Sequence, residues 1–263
     1  MSPDHVLALF GDLSDRCAEV VATNSDWDQT NNGRGQYRVD LDVDAVCVPP
    51  LLAAGFAVLS EESGLQWPGG GDAGDPFGAS VVVVDPLDGS TNASLGLPWC
   101  ATALCLVDRG VPAVAMVTNL ATGRRYRAVR GAGSWRNDTR LAVSPARLDD
   151  AIVAVSGLPQ RHYGWRQFRA LGASALDISM VADGAFAGFV DTNDEAHGVW
   201  DYLAATLIVE EAGGCAADAL GADLVVFDHD ARRTPVVAAS VDLLEQLIEE
   251  RSAGMSTGAE PDE

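Results

Sequence analysis

Apolar residues along the chain alternate between helix-spaced stripes and short solid runs, so helices and strands are expected in turn. Behind Ser2-Pro3, residues Val6, Phe10, Leu13, Cys17 and Val20 recur at three- and four-residue steps, which predicts an amphipathic first helix. Thr23 to Tyr37 is rich in Asn, Gly, Asp and Gln and predicts a loop. A helix is expected around Leu41-Asp42-Val43-Asp44, short or kinked because Pro49-Pro50 lacks donors and clashes with the preceding turn. Asp40 and Asp42 read as a solvated turn. Phe56-Ala57-Val58-Leu59 predicts a brief strand that ends at Ser60-Glu61-Glu62. Leu65 to Gly78, with Trp67-Pro68-Gly69-Gly70-Gly71, reads as a flexible excursion that could cover a site.

The most informative run is Val81-Val82-Val83-Val84-Asp85-Pro86-Leu87-Asp88-Gly89-Ser90-Thr91-Asn92. Four valines favour a strand buried on both faces, and Pro86, with no ladder donor, is expected to end it at Asp85. Gly89 permits close backbone approach, and Ser90, Thr91 and Asn92 are good N-caps, so a helix is expected to start here with its free N–H groups pointing outward. Two carboxylates at a strand tip beside an anion-binding helix end suit a cation lying between acid and anion, with magnesium and phosphate the natural pair. Carboxylates converging on such an edge at about 5 Å repel by roughly 3 kcal/mol per pair at an effective dielectric near 20, which a divalent ion removes.

Further along, Cys100 to Val107 and Val111 to Thr118 predict strands joined at Asp108-Arg109-Gly110, and Asn137-Asp138 marks a hairpin tip. Arg124, Arg125, Arg127 and Arg130 read as a solvated sheet face, the alternative being a basic patch near the phosphate. The pattern restarts near Ser144-Pro145, which places a boundary around residue 146 between halves 1–146 and 147–251. The second half shows strands at 151–155, 186–190 and 236–239 and helices at 171–181, 201–210 and 241–251. Residues 252–263 read as a disordered tail.

At 263 residues, with 48% hydrophobic and 21% charged content, the chain can bury a full core. Its formal net charge of -21 argues against nucleic-acid or anionic-membrane partners. Five cysteines without a Cys-x-x-Cys pair indicate reduced thiols rather than disulfides or zinc, and Asp4, Asp12 and Asp15 near the start fit neither a signal peptide nor a membrane span. A cytoplasmic protein is the expectation. The four histidines show no ligand spacing and read as surface residues, with only His197 able to approach a substrate. No Ser-His-Asp set stands out, and no Gly-x-x-x-x-Gly-Lys phosphate loop exists.

Ser60-Glu61-Glu62-Ser63-Gly64, the Asp85 to Asn92 run, Trp200-Asp201-Tyr202-Leu203-Ala204-Ala205 and Glu211-Ala212-Gly213-Gly214, in this order and spacing, resemble the inositol monophosphatase family over most of the chain. The resemblance implies an α/β (α+β) fold, a layered αβαβα sandwich of the inositol monophosphatase and fructose-1,6-bisphosphatase type. It implies a Mg2+-dependent phosphomonoesterase for a small sugar or cyclitol monophosphate, inositol monophosphate first, using two or three ions and a homodimeric assembly. By the same resemblance, Glu61, Asp85 and the Leu87 carbonyl hold one ion, and Asp85, Asp88 and Asp201 a second. Glu61 and the Ser90 hydroxyl orient a metal-activated water, with Asp44 near the metals as a further catalytic residue, although Ser90 could equally be a helix cap. Substrate contacts fall to Asp88, Gly89, Ser90, Thr91, Ser174 and Asp191, the last reaching substrate hydroxyls unless its acidic loop is merely solvated.

The chain departs from the family at several points. Arg34 and Arg38 stand in the region of a family lysine, Pro49-Pro50 interrupts a helix, Ala93 replaces an aromatic residue, and the loop after Asp191 is longer. Fructose-1,6-bisphosphatase or another sugar or nucleotide monophosphatase activity is the enzymatic rival, and a non-catalytic ligand-binding relative is the alternative of a different class.

Overall fold

The computed structural model describes residues 1–30, 36–71 and 74–255. Ser2 caps helix α1 (Pro3–Thr23), its hydroxyl accepting from the His5 N–H with Pro3 in the first turn, as the sequence predicts. Helix α2 (Arg38–Ala53) follows, then strands β1 (Ala57–Ser60), β2 (Gly64–Gln66) and β3 (Ser80–Asp88) and the short helix α3 (Ser90–Ser94). Strands β4 (Ala101–Asp108), β5 (Val111–Asn119), β6 (Arg125–Val129), β7 (Gly133–Arg136) and β8 (Thr139–Arg140) complete a first sheet of order β2-β1-β3-β4-β5-β6-β7-β8. The second half contributes β9 (Ile152–Ser156), β10 (Gln167–Arg169), helix α4 (Ser174–Ala182), β11 (Gly188–Asp191), helix α5 (Val199–Glu211), β12 (Cys215–Asp218), β13 (Pro235–Ala238) and helix α6 (Val241–Met255). Its strands form a second sheet of order β10-β9-β11-β13-β12.

The alternation of side chains along the valine run produces the layering. Val82 and Val84 pack on one side with Phe10, Leu13, Val43 and Leu51 of α1 and α2. Val81 and Val83 face the other way, joining Leu176, Ile178, Leu203 and Leu207 of α4 and α5, and that layer also receives Phe189 and Val237 from the second sheet. The far side of the second sheet packs Val153, Val190 and Val236 against Leu243, Leu244 and Leu247 of α6. The result is the αβαβα order of layers. Among the described residues, no helix is long and apolar enough to cross a membrane.

Several local expectations are corrected. β3 does not stop at Asp85: its pairing with β4 slips between Asp85 and Asp88, and Pro86 falls in that bulge, where no ladder donor is required. The Thr102 hydroxyl donates to the freed Pro86 carbonyl at 2.8 Å. α2 runs for 16 residues through Pro49 and Pro50, which sit on its outer face where the unpaired carbonyls of the preceding turn can reach water. Helix α3 is capped by Gly89 rather than by Ser90, Thr91 or Asn92, so Ser90 is free of a capping role. Within Leu65 to Gly78 the described residues include the end of β2 and single 3₁₀ turns at Pro68–Gly70 and Pro76–Gly78, while residues 72 and 73 lie outside the described residues. Of the four arginines expected on a solvated sheet face, Arg125 pairs with Asp15 and Arg130 with Glu210, and none of the four lines the cavity that holds Glu61, Asp85 and Asp201. Helix α6 extends to Met255, past the expected end at Arg251. That side chain is buried, and its Nε donates to the Asp191 carbonyl at 2.7 Å. Arg34 and residues 256–263 lie outside the described residues.

Candidate active site

Three sheet-edge features converge on a cavity of about 850 Å³. β1 ends at Ser60, and the Glu61 N–H continues the ladder by donating to the Val84 carbonyl at 3.1 Å, so Glu61 is delivered beside Asp85, which precedes the bulge in the adjacent strand. Across the cavity, the first turn of α5 presents Asp201, one of whose oxygens accepts from the Gly198 N–H at 2.7 Å. Glu61, Asp85 and Asp201 each offer an oxygen within 4.8 Å of the others. No arginine or protonated amine pairs with these three carboxylates among the described residues.

The electrostatics follow from this crowding. Burial and then the charges of Asp201 and Glu62 push the Glu61 carboxyl well above its usual range. Asp85 is raised by burial and then by Glu61, Asp88 and Asp201, and Asp88 by burial and then by Asp201. Burial raises Asp201 too, although His197 and the Gly198 N–H favour its charged form. An all-oxygen set of mutually repelling carboxylates fits a hard divalent cation, whose charge would offset the burial and the repulsion together. Glu61, Asp85 and Asp201 would hold it.

Asp88 stands slightly apart. Its two oxygens accept from the Ser174 N–H at 3.2 Å and the Ala175 N–H at 2.8 Å, which anchors it on the positive end of α4. Each oxygen keeps a second lone pair for a ligand. Leu87, Gly89 and Ser90 also line the cavity. Gly89 has φ +81°, and a Cβ there would meet the Ala173 Cβ and the Trp99 carbonyl at 3.0 Å, so only glycine fits this corner.

Other expected residues fall elsewhere. Thr91 is exposed and outside the cavity lining, and Asp44 accepts from the Ser60 hydroxyl rather than lining the cavity. The cavity instead receives Asp40, whose carboxylate accepts from the Tyr37 N–H at 2.7 Å in the first turn of α2. Asp40 is 4% exposed and its Oδ1 has no partner among the described residues, and burial lifts its pKa to about 7. The solvated-turn reading of Asp40 is therefore wrong, and the acid of this helix that faces the site is the one at the helix start.

Asp191 is fully buried and turned away from the cavity. It accepts from the Asn193 N–H at 3.0 Å and pairs at 2.6 Å with Nδ1 of His197, whose Nε2 meets the Ser174 hydroxyl at 2.8 Å. This Asp191-His197-Ser174 chain was not apparent in the sequence because its members lie on three separate elements. Burial disfavours protonated His197, but the Asp191 hydrogen bond and the Asp201 charge outweigh it and raise its pKa. The carboxylate thus orients an imidazole and does not reach a ligand directly. Asp191→Ala is expected to lower stability by about 1–3 kcal/mol through the donors it leaves unpaired, with similar activity losses on all substrates. Thermal melts and a comparison of a polyol phosphate with an aryl phosphate check this.

Sequence reasoning also missed the loop 228–232, whose composition is that of an ordinary turn. His229 lines the cavity, its Nε2–H donating to the Glu61 carbonyl at 2.7 Å and its ring 4.9 Å from that of Trp200. The expectation of a surface histidine does not hold there.

A model of the inositol monophosphatase family matches residues 52–256. The fructose-1,6-bisphosphatase/inositol-1-monophosphatase of Thermococcus kodakarensis is 30% identical over 253 residues, covering 94% of this chain and 91% of that protein. The histidinol-phosphatase of Mycobacterium tuberculosis is 32% identical over 240 residues, covering 81% and 87%. The solved structure of the Thermotoga maritima IMPase superposes with a TM-score of 0.80 at 19% identity, covering 96% of this chain and 99% of that one, a likeness of fold.

Proposed function

The chain belongs to the inositol monophosphatase family, a family of phosphoric monoester hydrolases, and from that premise we propose that it is a Mg2+-dependent phosphatase of a small sugar or cyclitol monophosphate, inositol monophosphate first. The observation that carries this reading is the trio Glu61, Asp85 and Asp201, with no direct ion pair among the described residues, facing the Gly89-Ser90 corner across one cavity. A chain with no use for a cation gains nothing from so repulsive a cluster. When bound, divalent ions supply charge for the phosphate oxygens and lower the pKa of water.

The protein's own groups then have distinct tasks. The N–H groups at Gly89 and Ser90 offer hydrogen bonds to phosphate oxygens as charge develops on them. The Ser90 hydroxyl, with no capping bond to make, can orient the attacking water together with Glu61. Asp40, with one buried oxygen on the cavity wall that has no partner among the described residues, is a further acceptor for that water. Asp88, pinned by α4, can hold a second ion or a substrate hydroxyl.

A cytoplasmic location and a homodimer belong to the same proposal. The five cysteines are all free, which suits a reducing compartment. The test of the substrate is phosphate release from inositol, sugar, histidinol and nucleotide monophosphates with Mg2+ present. The highest kcat/KM is expected within the polyol phosphates, and a preference for nucleotides would overturn the choice.

A further inference from the structure

The chain contains no lysine, and its 17 basic residues are all arginine. Arginines near acids generally pair with them, as Arg136 does with Asp183 and Arg251 with Asp194. Arg232 behaves differently. It is the one arginine lining the acid-rich cavity among the described residues, yet it forms no direct ion pair there, its charge only favouring ionised Asp201 without contact. Its Nη1 donates to the carbonyls of His229 at 2.8 Å and Ala231 at 2.9 Å, and its guanidinium carbon stands 5.3 Å from the centre of a Trp200 ring. Both Nη1 hydrogens are thereby used, while the Nε and Nη2 hydrogens have no protein acceptor among the described residues.

The guanidinium is held in place from several sides. The Arg233 N–H donates to the His197 carbonyl at 2.8 Å and the His197 N–H to the Arg233 carbonyl at 3.1 Å, which ties the loop to the segment whose Ala196 and Gly198 line the same cavity. His229 fastens the loop to Glu61. A fixed planar fork of free N–H groups is suited to a carboxylate or phosphate, because two parallel hydrogen bonds then form without reorganisation. The reacting phosphate has its own place at the carboxylate cluster and the Gly89-Ser90 corner. On a chain of net charge -21, any other anionic group needs a local cation to be accepted.

We propose that Arg232 is a specificity residue that binds a second anionic group, a carboxylate or a second phosphate, on the leaving group of the phosphate ester. The inference rests on the phosphatase reading and refines its substrate class toward doubly anionic esters. The experiment compares kcat/KM with Mg2+ for fructose 1,6-bisphosphate and 3-phosphoglycerate against inositol 1-phosphate and glycerol 2-phosphate, in the parent, Arg232→Gln and Arg232→Lys. The parent is expected to favour at least one doubly anionic ester over glycerol 2-phosphate, the singly anionic ester that lacks both a second charge and the inositol ring. Arg232→Gln should cut that preference ratio by about tenfold or more, and Arg232→Lys should restore part of it, since charge returns without the fork. Which ester responds identifies carboxylate or phosphate as the recognised group. A parent without the preference, or an Arg232→Gln variant that loses activity equally on all four esters, overturns the assignment and leaves Arg232 a clamp on Trp200. Absence of phosphate release from every ester would overturn the phosphatase reading as well, an outcome distinct from a changed ratio.

Discussion

Asp85→Asn is expected to lower kcat/KM by about 10³-fold or more, corresponding to about 4 kcal/mol of lost charge stabilisation at the ion. The same variant should melt at a higher temperature than the parent when both are metal-free. Asp85 is 1% exposed, and burial together with Glu61, Asp88 and Asp201 disfavours its charge. An asparagine relieves that cost and retains an oxygen to accept the Leu87 N–H, now 3.0 Å from Oδ1. Phosphate release and calorimetry on one preparation check both halves. Activity within tenfold of the parent would remove Asp85 from the ion site.

The second large effect is on stability against pH. Asp40 and Asp177 are buried and each rises from 3.8 to about 7 on folding, while Glu61, Asp85, Asp88 and Asp201 are also raised. A carboxyl with a raised folded pKa binds more protons folded than unfolded, so its contribution is fully present below the unfolded pKa and is lost as pH rises through the folded one. For Asp40 and Asp177 the window is about pH 4 to 7, and each is worth on the order of a few kcal/mol across it. The metal-free protein is therefore expected to lose melting temperature from pH 5 to pH 8. Mg2+ should return most at the alkaline end, because ion binding displaces protons from the cluster. Melts in chelator and in Mg2+ across that range measure both slopes. A metal-free melting temperature that is flat or rises with pH would contradict the arrangement of these acids.

Much of this architecture was legible because it rests on short-range chemistry. The Ser2-Pro3 start, the valine run and the turn at Arg109-Gly110, both with positive φ, are local signals that the structure repeats. The acids at the ends of β1 and β3 and at the start of α5 come together because adjacent strands and a helix end meet at one edge. What sequence reasoning lost depended on tertiary context. Pro86 stays in its strand because a bulge removes the need for its donor, and Pro49-Pro50 stay helical because they face out. Asp40 could have been found as the acid three residues after the helix cap, but tyrosine at the cap hid the signal. Asp191, which the family resemblance places against substrate hydroxyls, is turned inward by pairing with a histidine six residues on. Arg232 has no local mark at all, since its meaning lies in the cavity it faces.

The most direct test of the central claim is a Mg2+ titration of the purified, chelator-treated protein with inositol 1-phosphate, following released phosphate. The account predicts no release above background without the ion and saturable recovery as Mg2+ is returned, with Asp85→Asn failing to recover. Equal phosphate release in chelator and in Mg2+ would contradict it.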